Sequence, residues 1–121
     1  MGKWTDTELE TIGEAEELRV AGLKEDDTLR RAVIIWAVRV DESIYIRSVL
    51  GPEAGWFRGT QLRGAGRVEA GGIAKDVTFT RNDEHDDAVT DAYWAKYGRG
   101  KDVVAINSEL ATSTTLRVDP R

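Results

Sequence analysis

The chain has 121 residues and a mass of 13.4 kDa, with 40% hydrophobic and 32% charged residues, which suits one domain over residues 1–121 with a core that needs no covalent staples. The absence of cysteine excludes disulfides, thiolate metal sites and cysteine nucleophiles. A net charge of −5 argues against a nucleic-acid partner, and the longest apolar run, Ala32 to Val38, is too short to span a membrane. Helix one is expected from Thr5, which pairs with Glu8 as a capping box while Trp4 staples onto Leu9, and it runs to about Glu17. Leu18 to Leu23 alternates as a short strand before a turn at Lys24–Asp27. Leu29 to Val40 reads as one strand, apolar on both faces and so covered on both sides or a barrel stave.

Asp41-Glu42-Ser43 then links this strand in a hairpin to Ile44–Val49, where Ile44 and Ile46 face one way and Tyr45 and Arg47 the other. Gly51 to Gly66 reads as a glycine-rich loop that carries Trp56, Phe57 and Arg58. Strands Gly66–Ala70 and Ile73–Thr80 follow, joined by the tight turn Gly71-Gly72. A helix opens at Asn82 or Asp83 and runs to Tyr97, with Ala88, Val89, Ala92 and Tyr93 as its buried stripe and Gly98 as its stop. Asp102 to Ala111 is ambiguous, and Thr115 to Val118 is the last strand. The expected class is α+β, a small antiparallel barrel with flanking helices.

Familiar site motifs are absent. Gly64-Ala65-Gly66 lacks the third glycine of a dinucleotide loop, and Gly59 to Gly64 is followed by Ala65 where a phosphate loop needs lysine. His85, the only histidine, stands among acids at a helix start, where acids are expected for dipole reasons, so no metal site is read there. From Leu29 to Arg67, however, seven arginines (30, 31, 39, 47, 58, 63 and 67) outnumber three acids. Such a set inside an acidic chain suits a small anionic ligand, because guanidinium groups bind phosphate and carboxylate in forked pairs. The plainer alternative is a solvated strand face whose arginines pair with surface acids. Trp36 is read as core or as a pocket wall, and Trp56-Phe57 as a barrel plug or a ligand site.

The runs Arg31-Ala32-Val33-Ile34-Ile35-Trp36, Tyr45-Ile46-Arg47-Ser48, Gly55-Trp56-Phe57-Arg58 and Arg67-Val68-Glu69-Ala70-Gly71-Gly72 carry a resemblance, which Asp91 to Gly98 and Thr115 to Pro120 continue. They resemble the flavin-binding split-barrel superfamily of pyridoxamine-phosphate-oxidase-like proteins and deazaflavin-dependent nitroreductases. In detail the chain is similar to a family of short bacterial proteins of unknown function placed in that superfamily. The resemblance implies a six-stranded split β-barrel, a homodimer, and FMN or a deazaflavin in a cleft at the dimer interface. It implies that Arg31, Arg47, Ser48 and Arg58 hold the cofactor phosphate while Trp56 and Phe57 wall its ring. Trp36, which replaces the lysine of the oxidases, and Tyr45 fall to the substrate pocket. Glu53 lies where the oxidases carry a Ser-Arg-Lys group.

Three functions follow as expectations. The first is a cytoplasmic flavin- or deazaflavin-dependent oxidoreductase acting on a small molecule. The second is a cofactor-free small-molecule-binding protein or enzyme that reuses the cleft. The third is an interaction module without a ligand.

Overall fold

The computed structural model describes residues 3–121. In chain order it contains α1 (Asp6–Glu14), β1 (Leu18–Gly22), β2 (Val33–Ile35), β3 (Ala37–Val40) and β4 (Ser43–Ile46). A 3₁₀ turn (Gly51–Glu53) then leads into α2 (Gly55–Arg63), followed by β5 (Ala65–Ala70) and β6 (Ile73–Arg81). The chain ends with α3 (Asp86–Tyr97), α4 (Lys101–Ile106), α5 (Glu109–Thr112) and β7 (Leu116–Pro120).

The sheet order is β2-β1-β5-β6-β7-β4-β3, antiparallel throughout. Its two outermost strands, β2 and β3, are consecutive in the chain and separated only by Trp36. The sheet therefore curls until its edges meet at that residue, which makes the protein an α+β split barrel with flanking helices. The same geometry breaks the expected long strand Leu29–Val40. Its first half pairs with β1 and its second with β4, so the six strands expected become seven. Burial on both faces holds for Ala37 and Val38 but fails in β2, where Val33 and Ile34 are 37% and 48% exposed.

Inward residues fill the barrel. Val20, Ala37, Ile44, Ile46, Val68, Val77, Phe79, Leu116 and Val118 meet Leu9 and Ile12 of α1 there. The alternation expected of β4 is observed: Ile44 and Ile46 point to this core, while Tyr45 joins an outer cluster with Val38, Val89, Tyr93, Val103 and Ile106. The capping box forms as expected, with the Glu8 N–H donating to Thr5 Oγ1 at 3.1 Å and the Thr5 N–H to Glu8 Oε1 at 2.9 Å. Trp4 shares the barrel core with Leu9, and its indole N–H donates to the Val118 carbonyl at 2.8 Å. Helix α1 stops at Glu14 because Ala15 turns extended and leads the chain into β1.

The Gly71-Gly72 turn is as expected, with φ of 57° and 84°. Gly51 to Gly66 is not a loop: it holds the 3₁₀ turn and α2, which ends at Gly64 in the left-handed conformation (φ 63°). Packing of α2 on β1 outweighs the poor helix propensity of its glycines. Helix α3 starts later than expected because the Asn82 side chain accepts from the Glu84 N–H at 3.1 Å and holds a turn. Val89 and Tyr93 are buried as expected, whereas Ala88 is exposed. The ambiguous segment after Asp102 forms α4 and α5.

Candidate functional site

A glycine of β1 lets α2 sit close to the barrel wall. Gly22 and Gly66 are paired across β1 and β5. A Cβ at Gly22 would come within 2.7 Å of the Gly59 carbonyl oxygen, so only glycine admits α2 at this distance. On its other side Gly59 carries the Arg30 side chain, whose Cδ lies 2.8 Å from where a Cβ would stand. The Arg30 backbone is held by its N–H bond to the Gly22 carbonyl at 2.9 Å.

Here a recess of about 250 Å³ is lined by Arg30, Gly55, Arg58, Gly59 and Leu62. Four of the five lie on one face of α2, at i, i+3, i+4 and i+7. Arg30 Nε is buried there without a hydrogen-bond partner. Such an orphaned donor is rare, because burying it unpaired carries a desolvation penalty. Helix α2 has no capping side chain and no acid in its first turn, and Glu53 precedes its N-cap Ala54. Two guanidinium groups, an orphaned N–H and a helix without a capping side chain, with no acid in the lining, are the features that suit an anion. These features fit the phosphate end of a flavin or deazaflavin.

The structure divides the residues singled out by sequence. Arg58 lines the recess, whereas Arg31, next to Arg30 in the chain, is exposed and outside the lining. Trp56, Phe57 and Arg58 share one helical turn, not a loop, so they diverge. Phe57 is buried in the barrel with the Arg81 guanidinium 5.5 Å from its ring centre. Trp56 is half-buried and edge-on to Phe57, with ring centres 6.0 Å apart. Arg30, one of the seven central arginines, lines the recess, and Arg31 does not. In sequence the two were adjacent and equivalent, and the contact with Gly59 is what separates them.

Arg47 and Ser48 are fully buried and bonded within the protein. Arg47 Nε donates to Thr115 Oγ1 at 2.9 Å, and Nη1 donates to Thr90 Oγ1 at 2.9 Å and to Asn107 Oδ1 at 2.8 Å. Nη2 donates to the Asp86 carbonyl at 3.1 Å, and the Asp86 carboxylate lies 3.9 Å away. Burial disfavours the Arg47 charge, and Tyr93 and Asp86 partly offset this. Ser48 Oγ donates to the Gly51 carbonyl at 2.7 Å. Trp36 stacks on Tyr97 with centroids 4.0 Å apart, and buried Tyr45 meets His85 edge-on. This aromatic group packs under α3, in the outer cluster, and none of its members lines the recess.

A family model described as "Uncharacterized protein conserved in bacteria (DUF2255)" matches residues 8–118. The chain belongs to the DUF2255 family. This DUF2255 chain is also similar in fold to three solved structures. The conserved hypothetical protein Rv2991 from Mycobacterium tuberculosis superposes with a TM-score of 0.63 at 11% identity, covering 97% of this chain and 79% of the other. An F420 reductase gives a TM-score of 0.58 at 11% identity, covering 93% and 91%. A putative 5-nitroimidazole antibiotic resistance protein from Bacteroides thetaiotaomicron gives 0.56 at 14% identity, covering 99% and 81%. No curated protein matches the DUF2255 chain in sequence. Among the described residues, no helix is long and apolar enough to cross a membrane.

Proposed function

We propose that this protein binds FMN or a deazaflavin by its phosphate in the Arg30–Arg58 recess and acts in the cytoplasm as an oxidoreductase on a small molecule. The observation that carries the reading is that Arg30, whose buried Nε has no hydrogen-bond partner, lines with Arg58 a recess along α2 that contains no acid. The likeness of the fold to an F420 reductase supports it. When bound, the cofactor would supply hydride transfer. The protein's part is to anchor and orient. Arg30 and Arg58 neutralise the phosphate, the α2 N–H groups share its charge, and Leu62 shields one side of the recess from water. A recess of about 250 Å³ takes the phosphate end but leaves a fused ring system open to solvent. Leu62 beside it is 63% exposed, and Leu29, next to Arg30 in the chain, is 42% exposed. Both suit coverage by a second copy, so the working form is proposed to be a homodimer.

The test is retention of added FMN or deazaflavin through desalting, read by visible absorbance. The native protein should keep near one cofactor per chain. Arg30→Gln and Arg58→Gln should each weaken binding by roughly tenfold or more, since a charge-assisted bond is worth about 1.5–3 kcal/mol. Arg117→Ala, whose partner is Asp119, should leave binding unchanged. Equal losses in all three, or none, would exclude the recess. Glu53, placed just before α2, favours a second reading, because its charge opposes a phosphate dianion there. In that case the protein binds a small monoanion without a cofactor. It would then retain neither flavin, yet show a thermal shift with carboxylates that the Arg30 variant lacks.

A further inference from the structure

Strand β3 ends the sheet, and α1 and α3 both pack on it. It pairs only with β4, in the register Ala37↔Ile46, Val38↔Tyr45, Arg39↔Ile44 and Val40↔Ser43. Two residues form the turn, so Val40 and Ser43 are the hydrogen-bonded pair that closes the hairpin. Hydrogen-bonded and non-bonded pairs then alternate, which points the backbone groups of Arg39 and Ala37 away from β4. The Ala37 carbonyl accordingly accepts from Lys96 Nζ of α3, at 2.7 Å. The Arg39 N–H and carbonyl face the same open edge, with no strand to pair with.

A cleft of about 320 Å³ lies at Arg39, between α1 and α3, and shares no residue with the arginine recess. Leu9 and Val38 give it an apolar floor, and the small residues Gly13 and Ala95 widen it. Its charged lining has both signs: Glu10 and Glu14 of α1, Arg39 and Lys96. The Arg39 stem lies against α1, where a Cβ on Gly13 would stand 3.2 Å from Arg39 Cβ. Its Nε donates to the Asp41 carbonyl at 2.8 Å. Among the described residues no carboxylate is within ion-pair distance of Arg39, and no cation within that distance of Glu10 or Glu14.

We propose that this cleft binds a free α-amino acid with an apolar side chain, seated on Arg39 as one residue of an added strand. The ammonium donates to the Arg39 carbonyl and the carboxylate accepts from the Arg39 N–H, the two bonds that a paired strand residue exchanges. Glu10 and Glu14 balance the ammonium, and Arg39 and Lys96 balance the carboxylate. The apolar side chain covers Leu9 and Val38. A simple amine or acid would satisfy one sign of charge and meet repulsion from the other. A peptide bond at either end of the ligand would remove one of its two charges.

The test is calorimetric titration of the full chain, without flavin, with leucine, isoamylamine and isocaproate. The last two lack the carboxylate and the ammonium of leucine, and each should bind at least about tenfold more weakly. Arg39→Gln removes the guanidinium and Ala95→Leu fills the cleft, and both positions are exposed. Each variant, shown to be folded by circular dichroism, should weaken leucine binding by roughly tenfold. Saturating leucine should also slow hydrogen exchange at the Arg39 amide. No binding of leucine, equal affinity for an analogue, unchanged affinity in the folded Ala95→Leu protein, or an Arg39 amide that exchanges as before would overturn the proposal. Because flavin retention does not enter, this proposal and the cofactor reading can fail separately.

Discussion

Arg47 shows how little a cation's place in the sequence says about its role. One residue past the end of β4 it resembles a ligand clamp, yet the residues that accept its hydrogen bonds lie far along the chain. Thr115, Asn107 and Thr90 stand 68, 60 and 43 residues away and are invisible to local reading. Removing the guanidinium would take a donor from these three oxygens and the counter-charge from the buried Asp86 Oδ1. Arg47→Met should therefore lower stability by about 3–5 kcal/mol in urea unfolding, the range for breaking one side of a buried polar pair. Arg30 makes the opposite case. It and Arg31 are chemically identical in sequence, and only Arg30 packs on Gly59 and enters the recess.

Helix α2 exists because of where it packs. Its glycines suggest a loop, and their propensity supports one, but Gly59 lets Arg30 lie across the helix while Gly22 of β1 lets the helix backbone approach. The fit is tightest at Gly66, where a Cβ would collide with the Ala21 carbonyl oxygen of the neighbouring strand. Gly66→Ala should thus cost more than about 3 kcal/mol, since rigid backbone has to move. Gly72 is the contrasting case, with open space around it and a φ of 84°. Gly72→Ala should cost only about 1–2 kcal/mol, from left-handed backbone strain alone. Thermal melts of the two variants would separate the effects. Equal losses would mean that the close β1–β5 pairing at Gly66 yields easily.

Across the molecule, closure depends on residues distant in sequence. The curled sheet meets itself at Trp36, and Trp4 joins the start of the chain to its last strand through Val118, 114 residues away. Trp4→Phe keeps much of the volume and loses the indole bond, which should cost about 1–2 kcal/mol. Trp4→Ala also opens a cavity in the barrel and should cost about 3–5 kcal/mol. Chemical denaturation would measure both, and an Ala variant no worse than Phe would show that the barrel does not need this plug. The two candidate sites use different parts of this architecture. The arginine recess lies along α2, and the Arg39 cleft lies between α1, β3 and α3.

Features governed by near neighbours were legible from residue order. The Thr5–Glu8 capping box, the Gly71-Gly72 turn and the two-faced alternation of β4 each depend on contacts within a few positions. The family resemblance added the split barrel and pointed to the neighbourhood of Arg58. Folding settled what depends on closure. It broke one apolar run at Trp36 because the two ends pair with opposite edges of the sheet, and it made a helix of a glycine-rich stretch. It also buried Arg47, left Arg30 Nε without a partner, and set the Arg39 backbone on an open strand edge. A side chain's donors are known from its identity, but whether protein, water or a ligand satisfies them depends on which distant atoms the barrel brings within about 3 Å.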